Sequence, residues 1–406
     1  MIAKVILLVV FFGTMIAIGI YCRKHSTDVQ GFVLGSRNVG PWLTAFAYGT
    51  SYFSAVVFVG YAGQFGWKYG VASTWIGIGN ALIGSLLAWI VLGRRTRIMS
   101  NHLSATTMPD FFGKRFASKA LKIVASVIVF VFLVPYTASV YNGLSRLFGM
   151  AFDIPYSVCV IAMAVLTGAY VILGGYMATA INDFIQGIVM LFGIVAVVAS
   201  VLLQNGGLEA AVTQLATGEN GGWQYASFLG ADPVFLFFVV ILTSLGTWGL
   251  PQMVGKFYAI RNERAINKGT VISTVFALIV AGGCYFLGGF GRLYDVDVET
   301  QGYDAIIPFM LSKLPVLMIG IVIVLVLSAS MSTLSSLVLT SGSTVTLDFI
   351  VPMRKKQTSD RAKMILIRVF IVLFIVVSAW IAIAQYHNEN ILIAQMMGIS
   401  WGALAG

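Results

Sequence analysis

Apolar residues fall along this chain in long blocks separated by short polar or charged stretches. A helix that crosses a bilayer needs about 20 predominantly apolar residues. Blocks of that order lie at residues 2–21, 42–66, 71–93, 119–145, 155–174, 182–203, 233–255, 269–290, 314–347, 364–385 and 391–406. The pattern predicts eleven membrane helices: an extra N-terminal helix, then helices 1 to 10. The last block ends in "GISWGALAG" and holds 16 residues. That is too short to complete a crossing, so the sequence reads as a C-terminally truncated form of a longer protein.

Composition agrees with lipid as the main solvent. Of 406 residues, 59% are hydrophobic and only 10% charged, where soluble domains carry about 25% charged residues. The net charge of +10 is not a nucleic-acid signature, because the basic residues are sorted by loop. With the N-terminus outside, 20 of the 25 Lys and Arg fall inside, in the segments around Arg23–Arg37, Arg94–Lys122, Lys256–Lys268 and Arg354–Arg368. The outer side keeps Lys4, Lys68, Arg146, Arg292 and Lys313, together with acidic residues such as Glu209, Asp295 and Asp304. This asymmetry follows the positive-inside rule. The first block is followed by "CRKH" and by no small-x-small cleavage site, so it reads as a retained helix rather than a signal peptide. The three cysteines are far apart and the three histidines fall in loops, which gives no metal, haem or disulfide pattern. No block is left for a soluble catalytic domain, and "TTMPDFFGKRF" in the 94–118 loop reads as a short surface helix.

Two segments suit a continuous helix poorly. Helix 1 contains "FAYGTSYFSAVVFVGYAGQFG", dense in Gly, Ser and Thr. Helix 6 contains "SLGTWGLPQ", where Pro251 cannot donate to the carbonyl of Thr247 and two glycines weaken the same turn. Small residues also serve close helix packing, and a proline also serves as a simple kink. The pairing shifts the balance: if helices 1–5 and 6–10 are two repeats, the breaks fall on the first helix of each. Interrupted helices in matching positions of two halves point to a transporter binding site.

Helix 8 carries "SASMSTLSS", six hydroxyls in nine residues. At 100° per residue, Ala329, Ser332, Thr333 and Ser336 share a face with Ser335 beside it. Hydroxyl oxygens and a loosened carbonyl facing free carbonyls of helix 1 suit a hard monovalent cation, whereas a divalent ion asks for more carboxylates. The competing reading is hydroxyls that bond back to the preceding turn and pack helices. In "AINDFIQG", Asp183 is an ionisable group at a membrane segment, a functional candidate by default; the alternative is a loop Asp that favours the start of helix 5.

Together these segments resemble the sodium:solute symporter family. The matches are "FVLGSRNVGPWLTAFAYGTSYFSAVVFVG", "ILGGYMATAINDFIQG", "GLPQMVGKFYAIRNERAINKG" and "SASMSTLSS", spread over nearly the whole chain. The resemblance implies an all-α membrane protein with the LeuT-like five-plus-five inverted repeat: an extra helix and loop at 1–40, one repeat at 41–205 and a truncated second at 232–406. It implies a sodium site made by the carbonyls of Thr50, Phe53 and Ala329 and the hydroxyls of Ser332 and Thr333. It also implies a second sodium at Asp183, Ser335 and Ser336 with Ser332 shared, so that one sodium ion, or two, serve each cycle. Proline carriers of the family have an Asp where this chain has Tyr52, and "TSYFSA" looks more like the pantothenate-type members. The solute cavity is expected to be lined by Ser51, Tyr52, Ser54 and Phe58 of helix 1, Tyr136, Tyr141 and Asn142 of helix 3, and Thr247, Trp248 and Gln252 of helix 6, with no basic residue at that depth.

The function so read is sodium-coupled secondary active symport of a small organic solute by alternating access, not an enzymatic reaction. The protein is expected as a monomer, multi-pass, in the plasma membrane, taken as a bacterial inner membrane. Proton coupling through Asp183 is one alternative. A solute-sensing membrane domain is another, since some family relatives fuse this domain to a histidine kinase. A channel is disfavoured, because no pore-lining ring of charge is visible.

Overall fold

The computed structural model describes residues 2–152, 154–354, 357–386 and 393–405. Among these the chain forms helices and connecting turns without a strand, and one isolated bridge pairs Val39 with Ile260. His387 and the first residues of the block predicted as helix 10 lie outside the described residues; the remainder of that block is the helix Ile393–Ala405.

Five of the predicted blocks appear as single helices with shifted ends: Ile2–Cys22, Lys119–Phe152, Glu263–Gly288, Val316–Thr344 and Asp360–Tyr386. Helices 4 and 5 depart from the expectation. No loop separates them, and Tyr156–Gln204 is one helical stretch of 49 residues turned at Gly175, with φ +54° and ψ −146°. At 1.5 Å per residue a straight helix of that length would run about 70 Å, more than twice the ~30 Å apolar core of a bilayer. The stretch therefore holds two crossings. Glycine makes the sharp reversal accessible, since left-handed φ is strained for any residue with a Cβ. A Cβ on Gly175 would also stand 2.7 Å from the carbonyl oxygen of Phe32.

Helix 8 lies at the centre. It packs on helices 4 and 5, 3 and 9, and nearly every residue from Val322 to Thr344 is buried. A helix enclosed on all sides has to be largely apolar or have its polar groups partnered; here Ser332, Thr333, Ser335 and Ser343 donate to backbone carbonyls, while the hydroxyls of Ser328, Ser330 and Ser341 are buried without a partner among the described residues. At the periphery, Phe192, Leu203, Val316, Leu317 and Trp380 are largely exposed and form the apolar surface that a bilayer covers.

The 94–118 loop is pinned to the ends of several helices. Thr107 caps the short helix Met108–Arg115 by accepting from the Asp110 N–H. Asp110 pairs with Lys122 at 2.7 Å and Lys114 at 2.8 Å, and Lys122 reaches Asp348 of helix 8 at 3.2 Å. Burial pushes the Asp110 carboxyl up, but the two lysines outweigh it and hold the group below its ordinary value. Arg37 donates to the carbonyl of Ala105, and Arg97 to those of Ile260 and Arg261, so this loop closes over the ends of helices 1 and 6.

Helices 1 and 7 approach backbone to backbone. A Cβ on Gly66 would lie 2.1 Å from the Gly288 backbone, and one on Gly288 would lie 2.1 Å from the Ala62 carbonyl. Overpacking a well-packed core costs about 1–3 kcal/mol when side chains yield, and more when only backbone can move. Gly288→Val should therefore sharply reduce the monodisperse fraction on gel filtration and lower the thermal midpoint by several degrees. Gly320→Ala, where an added Cβ meets nothing within 4 Å, should leave both unchanged.

Candidate functional site

Both expected breaks occur. Helix 1 runs over Pro41–Tyr52, and the chain becomes extended at Phe53, φ −103° and ψ 107°. Helical structure resumes at Ala55 and passes through a wide π-type turn at Val56–Tyr61. Helix 6 runs over Pro233–Leu245 and restarts at Pro251–Ala259. Pro251 occupies the first turn of the second half, where no backbone N–H is needed and its fixed φ fits. Helix 6 is therefore interrupted rather than merely kinked, and the Thr247 carbonyl takes the N–H of Leu250 at 3.3 Å instead.

The helix 1 break faces the middle of helix 8. The Thr50 carbonyl accepts from the hydroxyls of Ser332 at 3.2 Å and Thr333 at 3.3 Å. The same two hydroxyls lie 3.1 Å from the Ala329 carbonyl. Thr50, Ala329, Ser332 and Thr333 are thus in mutual contact, all buried, with Phe53 at the break three residues on from Thr50. Hard cations such as Ca²⁺ bind oxygens at about 2.3–2.6 Å, which sets neighbouring oxygens roughly 3.3–3.7 Å apart. The oxygens already stand near that spacing, and no charged group belongs to the cluster, which suits a monovalent ion.

The second group of residues is arranged differently. Asp183 is not in a loop. It lies two turns beyond Gly175 inside helix 5, fully buried, and neither carboxylate oxygen accepts a hydrogen bond from a described residue. Its balancing charge is Lys256, whose Nζ is 3.7 Å from Asp183 Oδ2. The same ammonium donates to Ser336 Oγ at 3.0 Å, and Ser336 is 2.8 Å from Ser51 Oγ. Ser335 turns back and donates to the Ser332 carbonyl at 2.9 Å. Two expectations need correcting here: Lys256 belongs to the second half of helix 6, not to a loop, and a basic residue does lie at this depth. The signal was present in "QMVGKFYAI", a lone base inside an apolar run that continues past it.

The residues expected around the solute make several distinct sets of contacts. Tyr52 donates to the Thr243 carbonyl at 2.9 Å, and Thr247 to the Ser244 carbonyl at 2.9 Å. The hydroxyls of Thr243 and Ser244 both donate to Asn80 Oδ1, at 3.2 Å and 3.1 Å. The rings of Tyr52, Tyr61 and Tyr136 surround Trp401 at centroid distances of 6.0, 6.4 and 6.2 Å. Asn80 and Trp401 were not expected from the sequence; Trp401 drew no notice because it sits in a short terminal block. Gln252 belongs with Lys256 instead. Its amide is buried without a partner among the described residues, in a crevice lined by Tyr176, Lys256 and Ser336 that reaches Thr106 and Thr107. Trp248 donates to the Ile83 carbonyl at 3.1 Å and so ties the helix 6 break to helix 2. Ser54 accepts from the Val56 N–H at 3.2 Å, while Phe58, Tyr141 and Asn142 are buried in the same core.

Comparison with known proteins bears on the family and the fold. The profile of the sodium:solute symporter family matches residues 32–406. Sodium/proline symporters of Staphylococcus aureus, those of strains JH9 and NCTC 8325 among them, are 30% identical over 409 residues, covering 98% of this chain and 77% of theirs. The solved substrate-bound, outward-open state of a Na⁺-coupled sialic acid symporter superposes with a TM-score of 0.81 at 16% identity, covering 98% of this chain and 85% of that one. A nucleobase-cation-symport-1 family transporter with bromovinylhydantoin bound gives a TM-score of 0.54 at 13% identity, covering 92% and 77%. These structural likenesses show a LeuT-type fold. With the family profile extending over most of its length and transporters as its relatives, this chain belongs to the sodium:solute symporter family.

Proposed function

We propose that this protein is a sodium-coupled symporter that moves a small organic solute by alternating access between two repeats, 41–205 and 232–406, as a monomer with its N-terminus outside. The observation that carries the reading is the contact of Thr50, Ala329, Ser332 and Thr333 across the helix 1 break. A sodium ion held there by these oxygens and the Phe53 carbonyl joins helix 1 to helix 8 and so favours one orientation of the repeats. Solute then binds beside the two breaks, and rocking of one repeat against the other opens the opposite side. One charge falling through 100 mV releases about 2.3 kcal/mol, enough for ~50-fold accumulation.

The relatives named as sodium/proline symporters make proline the first solute to test. Against it stands Tyr52, whose hydroxyl is taken up by the Thr243 carbonyl and which offers no carboxylate to a solute amine. A solute carboxylate would be held by backbone N–H groups at a half-helix start such as Pro251–Ala259, where the dipole favours negative charge. A screen of proline, pantothenate, sialic acids, sugars and other carboxylates in proteoliposomes identifies the solute.

At fixed pH, replacing external sodium by choline should abolish accumulation; uptake that persists in choline and collapses with the proton gradient would establish proton coupling instead. Ser332→Ala with Thr333→Ala should lower apparent sodium affinity by at least about tenfold, or 1.4 kcal/mol, with the gel-filtration profile unchanged. Unaltered sodium dependence would remove the site. Asp183→Asn leaves the Lys256 charge unbalanced close by and should weaken sodium affinity roughly tenfold, while solute affinity at saturating sodium changes by less than about threefold. The two titrations are read from the same uptake assay.

A further inference from the structure

Lys256 has no part in the sodium cycle as described, yet its side chain is only 3% exposed and its ammonium stands among the residues that the family resemblance reserves for a second ion. Those residues are not equivalent. The Ser332 hydroxyl lies against the carbonyls of Thr50, Ser328 and Ala329 and belongs to the first site, and the Ser335 hydroxyl donates to the carbonyl of Ser332. Two of the group stand beside Lys256: Ser336 Oγ, 3.0 Å from Nζ, and the Asp183 carboxylate, 3.7 Å from it. Both are the anionic or oxygen ligands that a second cation would need, and both already face a positive charge.

Charge accounting points the same way. Asp183 has one negative charge, no hydrogen-bond donor among the described residues, and Lys256 as its ion-pair partner. A sodium ion added between them would meet a carboxylate already neutralised and an ammonium at contact distance, in a buried site where like charges are poorly screened. The Tyr176 ring 5.3 Å from Nζ gives the ammonium a further favourable neighbour. Lys256 is also held in place by its backbone, in the second half of helix 6, whose end is tied to helix 1 through the Val39–Ile260 bridge.

We propose that Lys256 is a tethered cation that takes the place of a second sodium ion, so that this chain binds one sodium, at Thr50, Phe53, Ala329, Ser332 and Thr333. The inference rests on the sodium-coupled reading above and fixes its stoichiometry. It also gives the Asp183 site a mechanical role, since a lysine on helix 6 joins helices 5 and 8 without an ion having to enter or leave.

The test is equilibrium ²²Na⁺ binding to the purified chain in nanodiscs, with sodium counted per chain. Wild type should bind one sodium without cooperativity, Lys256→Gln two, and Lys256→Gln with Asp183→Asn one again. Two ions in wild type, a count of one in Lys256→Gln, or two in the double variant overturns the inference. No specific binding in wild type overturns the sodium-coupled reading itself, a distinct result. If Lys256→Gln does not fold, the wild-type count decides alone, and Lys256→Arg, which keeps the cation, should match it.

Discussion

The Thr50 carbonyl is the group on which the arrangement turns. It lies at the end of a helix whose chain becomes extended at Phe53, so the residue one turn on is not placed to continue the ladder. A buried carbonyl without a partner costs about 1–3 kcal/mol, and in a membrane no bulk water repairs the loss. Ser332 and Thr333 of helix 8 supply the donors. The break is therefore stabilised where helix 8 passes, and two of the buried hydroxyls of helix 8 find a carbonyl partner there. A cation that coordinated the same oxygens would take the place of the hydroxyl protons as the partner of Thr50, which is how an ion would act on this contact.

A second constraint sits one turn further along helix 8. Asp183 on helix 5 and Lys256 on helix 6 are both buried, and neither charge is stable there alone. Breaking a buried pair typically costs about 3–5 kcal/mol because one ion is left uncompensated. Ser336 links the pair to helix 8, and Ser51 links it to helix 1. Four helices thus meet at two adjoining polar clusters, the first neutral and the second internally balanced. The crevice beside Lys256 and Gln252 leads toward the 94–118 loop, which the Asp110, Lys122 and Asp348 ion pairs hold against helices 3 and 8.

Much of this was legible in order along the chain. Apolar blocks located the helices, the Gly-rich run and Pro251 located both breaks, and helical periodicity put Ala329, Ser332 and Thr333 on one face. Each of these depends on residues close in sequence. The departures have local causes of another kind. Gly175 reverses the chain in a single residue, so the loop expected between helices 4 and 5 is not needed. Lys256 was counted with loop charges because a net-charge argument sorts residues by segment and cannot see an ion-pair partner on another helix.

By itself, the sequence determined the solvent, the helices, their interruptions and a hydroxyl-rich face, because length, hydropathy and missing backbone donors act within one or two turns. The tertiary structure alone decided what those interruptions face: that Ser332 and Thr333 meet Thr50, that Trp401 sits among Tyr52, Tyr61 and Tyr136, and that Asp183 is balanced by Lys256. These pairings join residues tens to hundreds of positions apart. They are set by which helices pack together, and the need to satisfy each buried polar group then selects the partner.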